Sequence, residues 1–120
     1  GFGVMTTFAD LIDEAGDAGP ALIAILDTAR SVAPDAVEGT SYGVPALLHA
    51  GLPLVGLARN AKGFALYPFS GGILEALSAD LSSYRVSKGA LGFDADQVLP
   101  VELVRAMVQA RRDQIDRTQQ

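Results

Sequence analysis

The sequence predicts an α+β fold, a two-layer sandwich in which an antiparallel sheet packs against helices. Three observations point there. Helix-like and strand-like segments come in runs (helix, strands, helix, strands, helix) instead of the regular alternation that a doubly wound parallel sheet requires. The middle of the chain consists of short apolar runs divided by tight-turn residues, the pattern of an antiparallel meander with one face on a core. Over 120 residues, 49% hydrophobic and 19% charged composition supplies apolar side chains for one core. At that length roughly two-thirds of the unfolded surface is buried without any staple.

Phe8, Leu11, Ile12 and Ala15 fall at helical spacing, with Thr7 as N-cap and Asp10 supporting the first turn. Gly16 and Gly19 break this helix, and Pro20 opens a longer one. Its apolar stripe is Leu22, Ile23, Leu26, Ala29 and Ala33, and Pro34 forbids continuation. Ala46–Leu48, Leu52–Leu57 and Gly63–Phe69 read as strands, separated by turns at Ala50-Gly51 and Asn60-Ala61-Lys62-Gly63. Ile73, Leu74, Leu77 and Leu81 place a helix over about Gly72–Ser82. Tyr84–Val86 and Ala90–Phe93 flank Ser87-Lys88-Gly89 as a short β pair. Pro100 opens the last helix, whose apolar face is Val101, Val104, Val108 and the stem of Arg111, widened by Leu103 and Met107. One domain spanning 5–120 is expected. Gly1, Phe2, Gly3 and Val4 precede Met5, an order that reads as leftover cloning residues ahead of an initiator.

Composition excludes several chemistries. The absence of cysteine removes disulfides, thiolate-held iron–sulfur clusters, zinc knuckles and thiol nucleophiles, and is compatible with a cytoplasmic protein. No apolar stretch approaches the roughly 20 residues that span a bilayer, so no membrane partner is expected. A net charge of −5 argues against a general nucleic-acid binder, since neutralising phosphate is what supplies non-specific affinity. The charge is uneven: up to Thr40, seven acids (Asp10, Asp13, Glu14, Asp17, Asp27, Asp35 and Glu38) face a single Arg30, a net of −6.

Two clusters go beyond a generic α+β chain, Glu38-Gly39-Thr40-Ser41-Tyr42-Gly43-Val44-Pro45-Ala46 and Tyr84-Arg85-Val86-Ser87-Lys88-Gly89-Ala90-Leu91-Gly92-Phe93 with Leu99-Pro100 after it. With Leu66-Tyr67-Pro68 between them, they resemble the YdhG-like family, a domain of unknown function, from Phe8 to about Arg112. The resemblance implies a small α+β domain of cytoplasmic, non-enzymatic character. Through members described as frataxin-like iron chaperones it also implies weak iron binding and delivery to iron-acceptor proteins. Where that family carries a Lys and a His ahead of its Tyr-Pro, this chain has Ala61 and Gly63.

The residues themselves offer two candidate sites. Asp10, Asp13, Glu14 and Asp17, at i, i+3, i+4 and i+7, line one helical face, and hard cations favour such oxygen ligands; the alternative is a solvated helix face. Glu38 beside Tyr42 pairs a carboxylate with a hydroxyl that could bind a cation or orient a ligand proton, or else Glu38 caps backbone amides of the following turn. Lys88 reads as a turn residue at a pocket rim, able to hold an anion, with Tyr67 and Tyr84 lining the same pocket or simply packing. The pocket expected for a small-molecule or protein ligand is therefore Glu38, Tyr42, Tyr67, Tyr84 and Lys88. His49, the only histidine, reads as an exposed loop residue. Ser70-Gly71-Gly72 reads as a helix cap, and no convergent nucleophile, base and oxyanion site is legible.

Overall fold

The computed structural model describes residues 7–97 and 99–119, so the positions 1–4 read as cloning residues lie outside the described part. Helix α1 (Phe8–Ala15) starts where Thr7 Oγ1 accepts a hydrogen bond from the Asp10 amide at 3.1 Å, as the cap predicts. A 3₁₀ turn over Gly16–Ala18 leads into α2 (Gly19–Val32), with Pro20 in its first turn and its end just before Pro34. Four strands follow, β1 (Val37–Ser41), β2 (Val44–His49), β3 (Leu52–Asn60) and β4 (Gly63–Tyr67). Helix α3 (Gly71–Ala76), strands β5 (Arg85–Ser87) and β6 (Ala90–Phe93), and α4 (Val101–Thr118) complete the chain.

All strands join one antiparallel sheet in the order β1-β2-β3-β4-β6-β5. Its hairpins turn through residue pairs Tyr42-Gly43, Ala50-Gly51, Ala61-Lys62 and Lys88-Gly89. Tyr42 and Gly43 (φ 52° and 79°), and Ala50 and Gly51 (φ 52° and 80°), hold positive φ at both central positions, the type I′ arrangement whose twist matches that of the strands.

Strand β1 is not predicted by the sequence. Val-Glu-Gly-Thr-Ser has no alternating apolar face because it forms a sheet edge with one partner, and most of it stays in solvent. The third helix is shorter than its apolar spacing suggests. After Ala76 the chain descends in three-residue turns, with Asp80 N–H donating to the Leu77 carbonyl (2.9 Å) and Tyr84 N–H to that of Leu81 (3.0 Å). That spacing still buries Leu81, so the hydrophobic period survives without an α-helix.

The two faces of the sheet differ. Toward the helices it presents Leu47, Val55, Leu57, Phe64, Leu66, Leu91 and Phe93, all buried, with the cross-strand partners Phe64 and Phe93 stacked at 5.8 Å. Leu22, Leu26 and Ala29 of α2 and Val104, Met107, Val108 and Ile115 of α4 complete this core. The opposite face is made small by register: Ala46 pairs with Gly56, Ala58 with Ala65, and Ala65 with Gly92.

Polar side chains of α4 lock the layers together. The Arg111 Nε–H donates to the Pro53 carbonyl at 2.9 Å, Arg112 donates to the Val32 carbonyl at the end of α2, and Gln114 Nε2 donates to Ser70 Oγ at 3.0 Å. Each of the first two satisfies a carbonyl with a charged donor. His49 corrects the expectation of an exposed loop histidine. It ends β2, its side chain is 14% exposed, and its Nε2 lies 2.7 Å from Asp116 Oδ1 of α4. Since a carboxylate only accepts, Nε2 carries the proton.

That hydrogen bond, working against desolvation and helped by the charges of His49 and Arg112, holds the Asp116 carboxyl below its ordinary range. A carboxyl lowered by folding stabilises the protein above its unfolded-state value, and the stabilisation is lost as pH falls through the lowered folded-state value. Asp116→Asn is expected to unfold more easily than the parent at pH 7, and the difference is expected to shrink as the pH is taken down through and below the ordinary carboxylate range, as read from chemical denaturation across that range. Gly63 gives a second prediction. It holds φ 145°, and a Cβ there would stand 2.6 Å from the Phe93 carbonyl oxygen, so Gly63→Ala is expected to cost about 2 kcal/mol or more in urea unfolding.

Candidate functional site

Three loops and one helix line a cleft of about 580 Å³. The β1–β2 hairpin supplies Tyr42, the segment after β4 supplies Tyr67, Phe69 and Ser70, the β5–β6 hairpin supplies Lys88, and α4 supplies Arg111. Pro53, at the start of β3, lies among them.

The local backbone explains the aromatic wall. Tyr42 is the first central residue of a type I′ turn, and its φ of 52° holds a side chain that is 93% exposed over the cleft mouth. Phe69 also takes a positive φ (56°), turning its ring back onto the sheet. There it lies over Gly56, where a Cβ would sit 3.0 Å from Phe69 Cζ and 3.3 Å from the Pro45 carbonyl oxygen. Glycine at this position is what gives the ring its seat. Phe69 stacks on Tyr42 at 6.4 Å and 22°, and meets Tyr67 at 6.3 Å and 31°. The three rings form one continuous shelf.

The other wall is cationic. Lys88 stands exposed at the tip of its hairpin, while Arg111 is half-buried. Burial lowers the Arg111 pKa by desolvating the guanidinium. Among the described residues its partners are a backbone carbonyl and Gln114 Oε1 (3.2 Å) and no acid lines the cleft, in a protein that carries 14 acidic residues against nine Lys and Arg.

Of the pocket residues expected from the sequence, Tyr42, Tyr67 and Lys88 come together here, and Glu38 and Tyr84 do not. Glu38 pairs with Leu47 across β1–β2 and so faces the helix layer, where its Oε1 accepts from the Phe8 amide at 2.9 Å. It caps α1 and not the following turn. Tyr84 precedes β5 and packs on the core beside a separate hollow, between Leu77 and Leu103. Phe69 and Arg111 belong to the cleft without having been singled out. Arg111 read as the stem of an apolar stripe, and the signal for Phe69 lies in its spatial meeting with Gly56, which one-dimensional spacing does not carry.

Three of the four acids share one helix and the fourth leaves it. Asp10, Asp13 and Glu14 are exposed on α1, but the helix ends at Ala15 and Gly16 takes φ 56°, so Asp17 sits on the 3₁₀ turn and off the common face. Glu14 is drawn to Arg59 of β3, with an Nη1–Oε2 distance of 3.6 Å, while the same nitrogen donates to the Glu14 carbonyl at 2.9 Å. Among the described residues no three His, Asp or Glu side chains gather in a group that could hold a metal ion. No helix among them is long and apolar enough to cross a membrane.

No family model matches the sequence, and no curated protein matches it. A solved structure does: that of a DUF1801-family protein (YdhG) from Bacillus subtilis. It is similar with a TM-score of 0.67 over 77% of this chain and 76% of that one, at 15% sequence identity. The α+β architecture with its six-stranded antiparallel sheet is therefore a YdhG-like fold.

The placement of Glu38 generates a stability prediction distinct from any binding effect. Glu38→Ala removes a carboxylate cap from the first amide of α1 and is expected to cost about 1 kcal/mol, read as a shift of the urea midpoint, with the chemical shifts of Tyr42, Phe69 and Lys88 unmoved.

Proposed function

We propose that this chain is a non-enzymatic small-molecule binding protein whose ligand seats in the cleft of Tyr42, Tyr67, Phe69, Lys88 and Arg111. The observation that carries the reading is the convergence of residues from three loops and α4 on one concavity, with an aromatic shelf on one side and two cations on the other. A volume of about 580 Å³ lies within the range of ordinary small-ligand sites. Two of the backbone positions that shape the shelf, at Tyr42 and Phe69, are left-handed non-glycine residues, each costing about 1 kcal/mol or more. Groups with catalytic potential nearby are engaged in holding the fold: Ser70 Oγ accepts from the Ile73 amide and from Gln114, and His49 is tied to Asp116.

Iron delivery through the acidic face is the competing reading, supported by the −6 charge of the first forty residues. One experiment separates the two. A panel of flat aromatic fragments is titrated by NMR into the parent, into Tyr42→Ala and into the double variant Asp13→Asn, Glu14→Gln, with anaerobic Fe(II) calorimetry against Mg(II) alongside. Fragment affinity is expected to fall roughly tenfold in Tyr42→Ala and to hold in the acid-face variant. Fragments that bind the parent and Tyr42→Ala alike, or Mg-resistant iron binding lost only in the acid-face variant, would turn the assignment away from the cleft.

A further inference from the structure

We infer that the cleft selects aromatic carboxylates, a flat ring against the Tyr42–Phe69–Tyr67 shelf and the carboxylate on Arg111 with Lys88 closing over it. This rests on the cleft reading above and names its ligand class.

The argument starts from the guanidinium. Arginine has five N–H donors, of which the Nε–H goes to Pro53 and one at Nη1 goes to Gln114. The other three, one on Nη1 and two on Nη2, have no partner among the described residues. Donors on two such nitrogens match the two oxygens of a carboxylate in a bidentate pair. The Nε bond to the strand backbone also fixes the plane of the fork, so the ordering cost is met by the fold before any ligand arrives.

Charge gives the sign. A half-buried guanidinium that has shed water without gaining a carboxylate is a cation in want of a counter-ion, consistent with its lowered pKa. Lys88 adds a second positive charge, carried on a flexible stem at a hairpin tip, and among the described residues no Asp or Glu lines the space. A cationic ligand would meet two like charges, and a neutral one would leave Arg111 without a counter-charge. The shelf sets the remainder of the ligand: three rings, one pair stacked and the other tilted by 31°, offer aromatic surface on which another flat ring gains stacking as well as apolar burial.

The test uses 2-naphthoate as probe, with 2-naphthamide as its neutral isostere and inorganic phosphate as an anion without a ring, each titrated by NMR into the full chain. The naphthoate is expected to bind roughly tenfold tighter than the amide, and phosphate more weakly than either. Arg111→Met keeps the apolar stem and is expected to abolish the acid-over-amide preference, so that the two compounds bind alike. Lys88→Gln, on an exposed hairpin tip, is expected to weaken naphthoate about two- to threefold, with a smaller salt dependence. Should Arg111→Met fail to fold, the acid-against-amide ratio in the parent and in Lys88→Gln decides the matter. Equal affinities for acid and amide, both shifting Tyr42 and Phe69, overturn the anion selection and leave the cleft reading in place. If neither compound moves the cleft resonances, both readings fall. Phosphate that matches the naphthoate shows a general anion site and removes the role given to the shelf.

Discussion

The seating of α4 is the constraint on which the rest of the molecule depends. Val104, Met107, Val108 and Ile115 sink into the core between α2 and the sheet, and that burial brings a row of polar side chains against backbone that would otherwise lack partners. Arg112 reaches the last turn of α2, Gln114 reaches the cap of α3 through Ser70, and Asp116 accepts a hydrogen bond from His49 at the end of β2. Arg111, one residue before the first of these, closes the series on β3 through Pro53. Helix periodicity does the sorting. Val104, Val108, Arg111 and Ile115 follow at three- and four-residue steps, so the apolar seam and the cleft cation share one side of the helix. A change that loosened the seam would therefore withdraw Arg111 from the cleft without touching any cleft residue.

The second determinant is the asymmetry of the sheet. Large aliphatic and aromatic residues fill the helix side, while the centre of the other side is built from the small cross-strand pairs Ala46–Gly56, Ala58–Ala65 and Ala65–Gly92. Small residues permit close approach, and at Gly56 the approach is used: Phe69 lies on the backbone itself, its own positive φ turning it there. Tyr42 then has a ring to stack against instead of projecting alone from a hairpin. The aromatic shelf is thus a tertiary product of one glycine and two left-handed residues, contributed by three segments distant in sequence.

This explains which parts were legible in the sequence. Elements with a strong period were: α1 with its Thr7 cap, α2 between Pro20 and Pro34, the Ala50-Gly51 turn, the β5–β6 pair and α4. Strand β1 was not, because a polar edge strand has neither alternation nor apolar bulk, and the shortened α3 was misjudged because three-residue turns bury leucines at nearly the helical period. At the cleft, Tyr42, Tyr67 and Lys88 stood out as residues at turns and strand ends. Glu38 shared a sequence cluster with Tyr42, yet strand alternation carries its carboxylate to the helix side and into a bond with Phe8. Arg111 was hidden by its neighbours: on an amphipathic helix, a long basic stem on the apolar face reads as covering hydrophobic surface until the β3 carbonyl it meets is known.

The distribution of charge bears on how such a cleft can work in an acidic protein. A net charge of −5 repels anions at long range, and the acids concentrate near the N-terminal helices. Glu14 is anchored by Arg59, at the far end of β3 from Pro53 and so about 20 Å away along the strand. At physiological ionic strength, interactions between exposed charges fade beyond about 8 Å. The acidic end therefore contributes little at the cleft, and the desolvated Arg111 dominates there because burial weakens screening. Selectivity for an anion in this setting comes from contact geometry and local dielectric, while the surrounding negative field slows encounter. A Lys at position 111 would be a poorer solution: it lacks the second and third nitrogens, and so could not hold the Pro53 carbonyl and Gln114 while still presenting a planar fork.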